Sequence, residues 1–417
     1  MPETSSDNRP IACEAIILFA DIADSVEVAH ERSVEEYDEF VQQFQESALQ
    51  AKPAVEFLKA DDRFAYQLEA RGDEVLLVIQ PTAKGLFNAV KGALAYAFVL
   101  KLSWIASRYN LGRLRNGQPP RDCMVGIHKG LVTVRRRPMP EREAAEGYAI
   151  SFAKRIQQAA RGGEVTRILA SAEFESACRT MLPSVKFGKS VLTDLKGIGG
   201  RVRAAELELI HYSDVLTSAT GVLKSLARCT DDATLALLRQ RALANPTETW
   251  VVRLAAGAHL ARARLVARES PNLAVKLLDD ALAIWPDFTE AHNLLWSTLF
   301  IQGRLVEAVR AYQRAIEIWP DVALVDGTLL SEADEMARVS DAAGVYAGLA
   351  DVYISHGHFA QGVAECDRAL TWDQNRADVY CLRAIAKRGL GDLDGADEDY
   401  SRAFELDESV ADKPPDG

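Results

Sequence analysis

Apolar residues in the first half of the chain fall in short runs of strand type, whereas in the second half they recur at helical spacing. Residues 15–20 (AIILFA) form a short, wholly apolar strand. Residues 64–68 and 75–79 are β-rich runs around Arg71-Gly72-Asp73, a polar turn of hairpin type. The pattern then predicts a helix over 86–109, a strand pair over 124–128 and 131–134 around Lys129-Gly130, a helix over 148–160 and a closing strand over 203–210. Strands and helices alternate with hairpins among them, which predicts an α+β sheet with helices on one face.

The second half repeats itself. After Gly303, Ala308, Tyr312, Ala315 and Pro320 follow at offsets 5, 9, 12 and 17, and after Gly391 come Ala396, Tyr400 and Ala403 at offsets 5, 9 and 12. Gly357, Gly362, Cys366 and Ala369 share the spacing, as do Ala274, Leu278, Ala281 and Pro286, and the period is 34 residues. Small residues let two antiparallel helices approach, an aromatic fills the groove, and proline ends the second helix. The pattern resembles the tetratricopeptide repeat, with units near 255–288, 289–322, 343–376 and 377–410 and a break of register over 323–342. Such arrays are stacked helix pairs whose concave face holds a peptide or another domain. Trp285, Trp319 and Trp372 recur at helix ends and are expected to pack in the core.

Length and charge narrow the possibilities. The 417 residues allow two to four domains, and 48% hydrophobic with 26% charged residues is the balance of a globular chain with a core. The apolar stretch 93–106 is interrupted by Lys101 and Ser103, the N-terminus has no signal-peptide pattern, and six cysteines form no CxxC, which together predict a cytoplasmic protein without a membrane span. Residues 1–212 hold 28 basic and 28 acidic side chains, and 213–417 hold 20 and 32, so the whole net charge of −12 lies in the second half. An acidic half repels nucleic-acid backbones and anionic lipid, so neither is an expected partner.

Asp21 ends the first strand and Asp73 sits at the first turn. Two carboxylates brought together in this way repel unless a divalent cation lies between them. Five segments then follow in one order: Phe19-Ala20-Asp21-Ile22, Gly72-Asp73, 126–130 (GIHKG), 147–155 (GYAISFAKR) and Leu195-Lys196-Gly197. Their order and spacing resemble the class III nucleotide cyclases over about half of the chain. The resemblance implies a ferredoxin-like cyclase domain over 1–212, a helical linker or cap over 213–254 and a tetratricopeptide-like all-α solenoid over 255–417. It also implies a homodimer with its sites at the subunit interface and two divalent metal ions, Mn²⁺ or Mg²⁺. Asp21, Asp73 and the Ile22 carbonyl match the metal ligands, and Arg155 matches the arginine that a partner subunit supplies to the pentacovalent phosphate. Lys196 matches the lysine on the terminal phosphates, and the amides of Ala23, Asp24 and Ser25 the triphosphate cradle at a helix N-terminus.

Departures from the family pattern bear on the substrate. Glu69 stands where adenylate cyclases carry lysine and guanylate cyclases carry glutamate. Ala144 stands at the partner position and offers no side-chain hydrogen bond, and Ser151 replaces the asparagine expected four residues before Arg155. Glu69 can accept from guanine, cytosine or uracil. A soluble cyclase domain with broken purine determinants and an accessory module resembles the pyrimidine cyclases of Pycsar antiphage systems, which favours UTP, cyclic UMP and a repeat domain that binds a protein or peptide. Guanylate or adenylate cyclase activity, and a catalytically dead dimeric scaffold, are the alternatives. Among the other residues, Arg135-Arg136-Arg137 suits a solvated loop, His128 suits packing, and Tyr66 either walls the base pocket or fills a sheet face.

Overall fold

The computed structural model describes residues 11–56, 64–82, 85–138, 141–182, 185–188, 190–194, 201–209, 229–318, 342–355 and 357–407. Contacts divide the chain into two units, one of residues 1–268 with 276–286 and the other of 269–275 with 287–417.

The first unit is built on β1 (Ile11–Ile22), which pairs antiparallel with β3 (Glu74–Pro81) on one side and β4 (Cys123–Pro138) on the other. β2 (Phe64–Arg71) makes the expected hairpin with β3. The remaining strands are β5 (Glu141–Glu146), β6 (Ile168–Ser171), β7 (Lys186–Phe187), β8 (Val191–Asp194) and β9 (Arg201–Leu209). Their order is β2-β3-β1-β4-β6-β9-β7, with β5 on β4 and β8 on β9, and β4–β6 is a parallel pair.

Neighbouring residues of a strand face opposite sides of its sheet. Residues 15–20 are all buried, so both faces of β1 are covered. Ala15, Ile17 and Phe19 pack with Ala149 and Ala153 of α6 (Tyr148–Ala159). The opposite face carries Ile16, Leu18 and Ala20, and α4 (Leu86–Ile105) packs on β1, β3 and β4. The helices therefore lie on both faces, not on one. α4 is long and apolar enough to cross a bilayer, yet from Ala89 onward every residue except Lys91 is buried in the domain.

Two predicted elements differ. The helix expected over 86–109 stops at Ile105, because the Ser107 hydroxyl accepts from the Asn110 N–H and starts α5 (Arg108–Arg115). The strand pair expected around Lys129-Gly130 is one strand: residues 123–134 pair with 22–11 without a break, Gly130 lying opposite Ala15. The glycines in it serve packing. A Cβ at Gly126 would stand 2.2 Å from the Gln157 backbone nitrogen, so α6 rests directly on the β4 backbone there. His128 packs as expected, buried, its ring 4.5 Å from Phe152 and its Nδ1 2.9 Å from the Ser171 hydroxyl; burial pushes it down to about 4, so it is neutral at pH 7.

At the start of β4 the buried Lys101 donates to Asp122 Oδ1 (2.6 Å) and to the Cys123 carbonyl (2.7 Å). Both Lys101 and Arg167 lie against the ring of Trp250, at 5.7 and 5.6 Å, on α9 (Thr249–Val266). This cluster supports the chain just beyond Asp21, because the Ala23 N–H donates to the Asp122 carbonyl (2.9 Å).

The second unit carries the helix pairs α11 (Thr289–Ile301) with α12 (Leu305–Ile318), α13 (Ala342–Ser355) with α14 (Phe359–Trp372), and α15 (Ala377–Gly389) with α16 (Leu393–Leu406). In chain order α7 (Ala172–Met181), α8 (Asp232–Ala244) and α10 (Pro271–Ile284) precede them. The repeat positions do what their spacing predicts. Ala308, Tyr312, Ala315, Cys366, Ala369, Ala396 and Ala403 are buried, and Gly303, Gly357 and Gly391 end their helices at φ of 70, 78 and 85°, where a side chain would be strained. The tryptophans do not follow suit. Trp372 is 48% exposed, and Trp285 is only partly buried, under the Arg253 guanidinium at 3.4 Å. Trp319 lies outside the described residues.

Gly126→Ala should destabilise the first unit by about 1–3 kcal/mol, because a methyl group there must displace helix backbone instead of a mobile side chain. Thermal melts of the variant and the parent protein measure this.

Candidate active site

Placement of the acidic pair follows from strand register. Pairing β1 with β3 sets Asp21 opposite Glu74, and Asp73 sits in the turn that enters β3. The Ile22 N–H donates to the Asp73 carbonyl (3.4 Å). Asp21 is pushed up to about 7, first by burial and then by the negative charges of Asp73 and Glu74, against which Lys154 and Arg161 act. Its Oδ1 is buried and finds no hydrogen-bond partner among the described residues.

An orphaned carboxylate oxygen pressed by two like charges is what a divalent cation would relieve, so these residues fit one. No group of three or more His, Cys, Asp or Glu gathers as a metal cluster among the described residues. The carboxylates that act on one another at this strand end are those of Asp21, Asp73 and Glu74.

The loop after Asp21 is only partly free for a ligand. The Ala23 amide is committed to Asp122, which leaves those of Asp24 and Ser25. Asp24 is the N-cap of α1 (Ser25–Glu31) and adopts φ 58°, ψ 32°, a left-handed conformation that glycine enters more easily. Arg121 pins the loop from below, 2.9 Å from Glu27 and 3.8 Å from Asp24.

Beside the pair lies a cavity of about 280 Å³. Phe19, Leu76, Val78 and Ile150 give it apolar walls, and Gln67, Glu69, Arg71, Glu74 and Lys154 supply its polar groups. Glu69 stands on this cavity, half-buried, with Arg71 on its Oε2. Lys154, from α6, donates to Glu74 across the pocket. Ala145 also lines it; the neighbouring Ala144 pairs with Arg135 in β5–β4, its side chain lying outside the described ones.

Not every predicted site residue converges. Ser151 is exposed and Arg155 half-exposed, one turn apart on α6, and Arg155 donates to Gln158 (3.4 Å). Lys196 and the side chains of Arg135, Arg136 and Arg137 lie outside the described residues. Tyr66 does not line the cavity; its hydroxyl donates to Glu56 (2.8 Å) at the end of α3 (Pro53–Glu56). Conversely, Gln67 and Glu74 fall outside the motifs, and Arg71 and Lys154 lie within quoted segments but were given no role there. The strand alternation Gln67, Glu69, Arg71 was the available signal, since residues two apart share a face.

A tetratricopeptide repeat model matches residues 377–410, which include α15 and α16. No curated protein matches the chain by sequence. Among solved structures the chain is similar to the adenylyl cyclase CyaB from P. aeruginosa, at 17% identity and a TM-score of 0.40, over 49% of this chain and 97% of that one. It is similar also to the guanylyl cyclase Cya2, at 16% and 0.37 over 48% and 93%. A third is an adenylate cyclase from Trypanosoma brucei in its monomeric state, at 16% and 0.33 over 49% and 91%.

The raised Asp21 carboxyl has two consequences. Between its unfolded value of 3.8 and its folded value of about 7 the folded chain holds the extra proton, so without metal this group costs stability increasingly as pH rises through that window. Asp21→Asn should therefore raise the melting temperature at pH 8 and change it little at pH 4. Mn²⁺ affinity of the parent protein, by calorimetry, should rise from pH 6 to pH 8 as the competing proton leaves.

Proposed function

We propose that this chain is a metal-dependent nucleotide cyclase. It converts a ribonucleoside triphosphate, by preference UTP, to the 3′,5′-cyclic nucleotide and pyrophosphate. It works as a cytoplasmic homodimer with sites at the interface, and its repeat half binds a protein or peptide. Second-messenger synthesis in bacterial antiphage defence is the role that the Pycsar resemblance favours. The observation that carries the cyclase reading is the Asp21 carboxylate at a strand end, one oxygen of it orphaned among the described residues and its pKa raised by burial and by the charge of Asp73, beside a polar cavity holding Glu69.

Asp21, Asp73 and the Ile22 carbonyl are the proposed holders of two divalent ions. Bound there, such ions would lower the pKa of the ribose 3′-hydroxyl and offset charge on the α-phosphate. The rest falls to the chain's own groups. Glu69 accepts a hydrogen bond from the base and so sets the ring in the cavity. Apolar walls at Phe19, Leu76, Val78 and Ile150 exclude water from the ring's faces. The amides of Asp24 and Ser25 and the Lys196 ammonium hold the triphosphate. The 3′-oxygen then bonds to the α-phosphorus, the bond to pyrophosphate breaks, and the 3′-hydroxyl proton is lost to solvent.

Arg155 in this reading serves the site of the partner subunit. Its place on an open helix face, half-exposed and donating to Gln158, is compatible with that. A guanidinium placed on the transition-state phosphate is worth roughly 10³-fold in rate. Ser151, one turn earlier on the same face, would contact the ribose.

Mixing two inactive variants tests the shared site. Asp21→Ala and Arg155→Ala should each lose nearly all turnover, Arg155→Ala with little change in nucleotide affinity. Combined and allowed to exchange subunits, they should regain activity, because a C2 heterodimer has one intact site. Failure to regain any activity, with subunit exchange shown by labelled chains, would contradict the interface assignment.

A further inference from the structure

The polar groups around the cavity are not balanced between donors and acceptors. Gln67 projects from β2 two residues before Glu69, on the same strand face, and both line the pocket. The Ala145 N–H donates to Gln67 Oε1 (3.2 Å), which turns the amide oxygen toward β5 and leaves the NH₂ facing away. That NH₂ is buried and has no acceptor among the described residues. Glu69 has its Oε2 engaged by Arg71, which leaves Oε1 as its better acceptor. Lys154 spends one of its three N–H bonds on Glu74 and keeps the others. Glu74 lines the same cavity and stands opposite Asp21. The cavity therefore offers a fixed donor on Gln67 beside an acceptor on Glu69, with the Lys154 ammonium as a second donor.

Nucleobases differ in how they meet such a set. The Watson–Crick edge of uracil carries two acceptors, O4 and O2, and one donor, N3–H. Cytosine also carries two acceptors, N3 and O2, and one donor group. Guanine carries one acceptor, O6, and two donor groups, and adenine one of each. A fixed donor beside a carboxylate acceptor, with an ammonium as second donor, suits the acceptor-rich edge of a pyrimidine. Guanine brings two donor groups and one acceptor to the same set, and its second donor meets a carboxylate oxygen already engaged by Arg71, which weakens its binding.

We infer that Gln67 is a base-reading residue: its NH₂ donates to a carbonyl oxygen or ring nitrogen of a pyrimidine whose N–H group is accepted by Glu69, with Lys154 as second donor. The inference rests on the cyclase reading for the presence of a nucleotide and goes beyond it in naming the group that selects the base. Gln67 also holds its own oxygen on Ala145, so it ties β2 to β5 across the pocket and gives the NH₂ a fixed direction.

The test uses full-length protein and the 3′-deoxy analogues of UTP, CTP, GTP and ATP, which lack the attacking hydroxyl, with affinities read by calorimetry. The parent protein should bind the pyrimidine analogues at least roughly tenfold more tightly than the guanosine analogue, the scale of one buried hydrogen bond. Gln67→Leu should erase that preference. Gln67→Glu, which replaces a donor by an acceptor in the same shape, should shift it toward the guanosine analogue, with melting curves confirming that both variants fold. Equal or tighter binding of a purine by the parent protein, or a preference unchanged in Gln67→Leu, overturns the assignment. Cyclic product from ribonucleotides in those cases leaves the cyclase reading standing; no binding of any analogue and no product overturns both.

Discussion

The antiparallel pairing of β1 between β3 and β4 is the constraint on which the site depends. It sets Asp21 opposite Glu74 and brings Asp73 beside it, and the same register sets Ile22 opposite Cys123. A slip of one residue would reverse every side chain between the faces and take Asp21 away from its place opposite Glu74. The fold can therefore hold like charges together at a strand end. The apolar ladder from Ala15 to Ala20 supplies the favourable burial, and the carboxylates bear the strain of it, seen in the raised Asp21.

Two supports keep that strand end in place. From one side α6 rests on β4 at Gly126, which carries Lys154 to the cavity and leaves Ser151 and Arg155 outward. From the other, the segment 121–123 holds the loop after Asp21 through the Asp122 carbonyl and Arg121. That segment is itself secured by the buried Lys101–Asp122 pair, with Trp250 over Lys101 and Arg167. Burying such a pair gives little net stability, but removing either partner strands a charge in the interior at a cost of about 3–5 kcal/mol. Its value to the protein is geometric: it couples the start of β4 to the strand end that bears Asp21.

Much of this was legible in the residues themselves. The apolar run 15–20 and the Gly72-Asp73 turn carry local signals, strand composition and turn chemistry, that need no tertiary information. The repeats were legible because one helix pair dictates the next, so small residues must recur at 34-residue intervals. What escaped depends on contacts distant along the chain. Gly130 resembles a turn residue until β1 is laid against it, and Gly126 has meaning only once α6 crosses β4. The cavity was half-visible: Glu69 was marked by its distance from Asp73. Lys154, however, reaches the pocket from a helix 80 residues away from its partner Glu74, and Gln67 is oriented by a backbone amide 78 residues away. Local composition carries no trace of either.

The central claim is that the Asp21–Asp73 strand end and the Glu69 cavity together turn a nucleoside triphosphate into a cyclic product. It is tested most directly by incubating the full-length protein with each of the four ribonucleoside triphosphates and Mn²⁺ or Mg²⁺, and weighing the nucleotide product by mass spectrometry. The account predicts a mass equal to the substrate less pyrophosphate, with cyclic UMP the dominant species and equimolar pyrophosphate. A product retaining water, the linear monophosphate, would make the site a hydrolase and contradict the account.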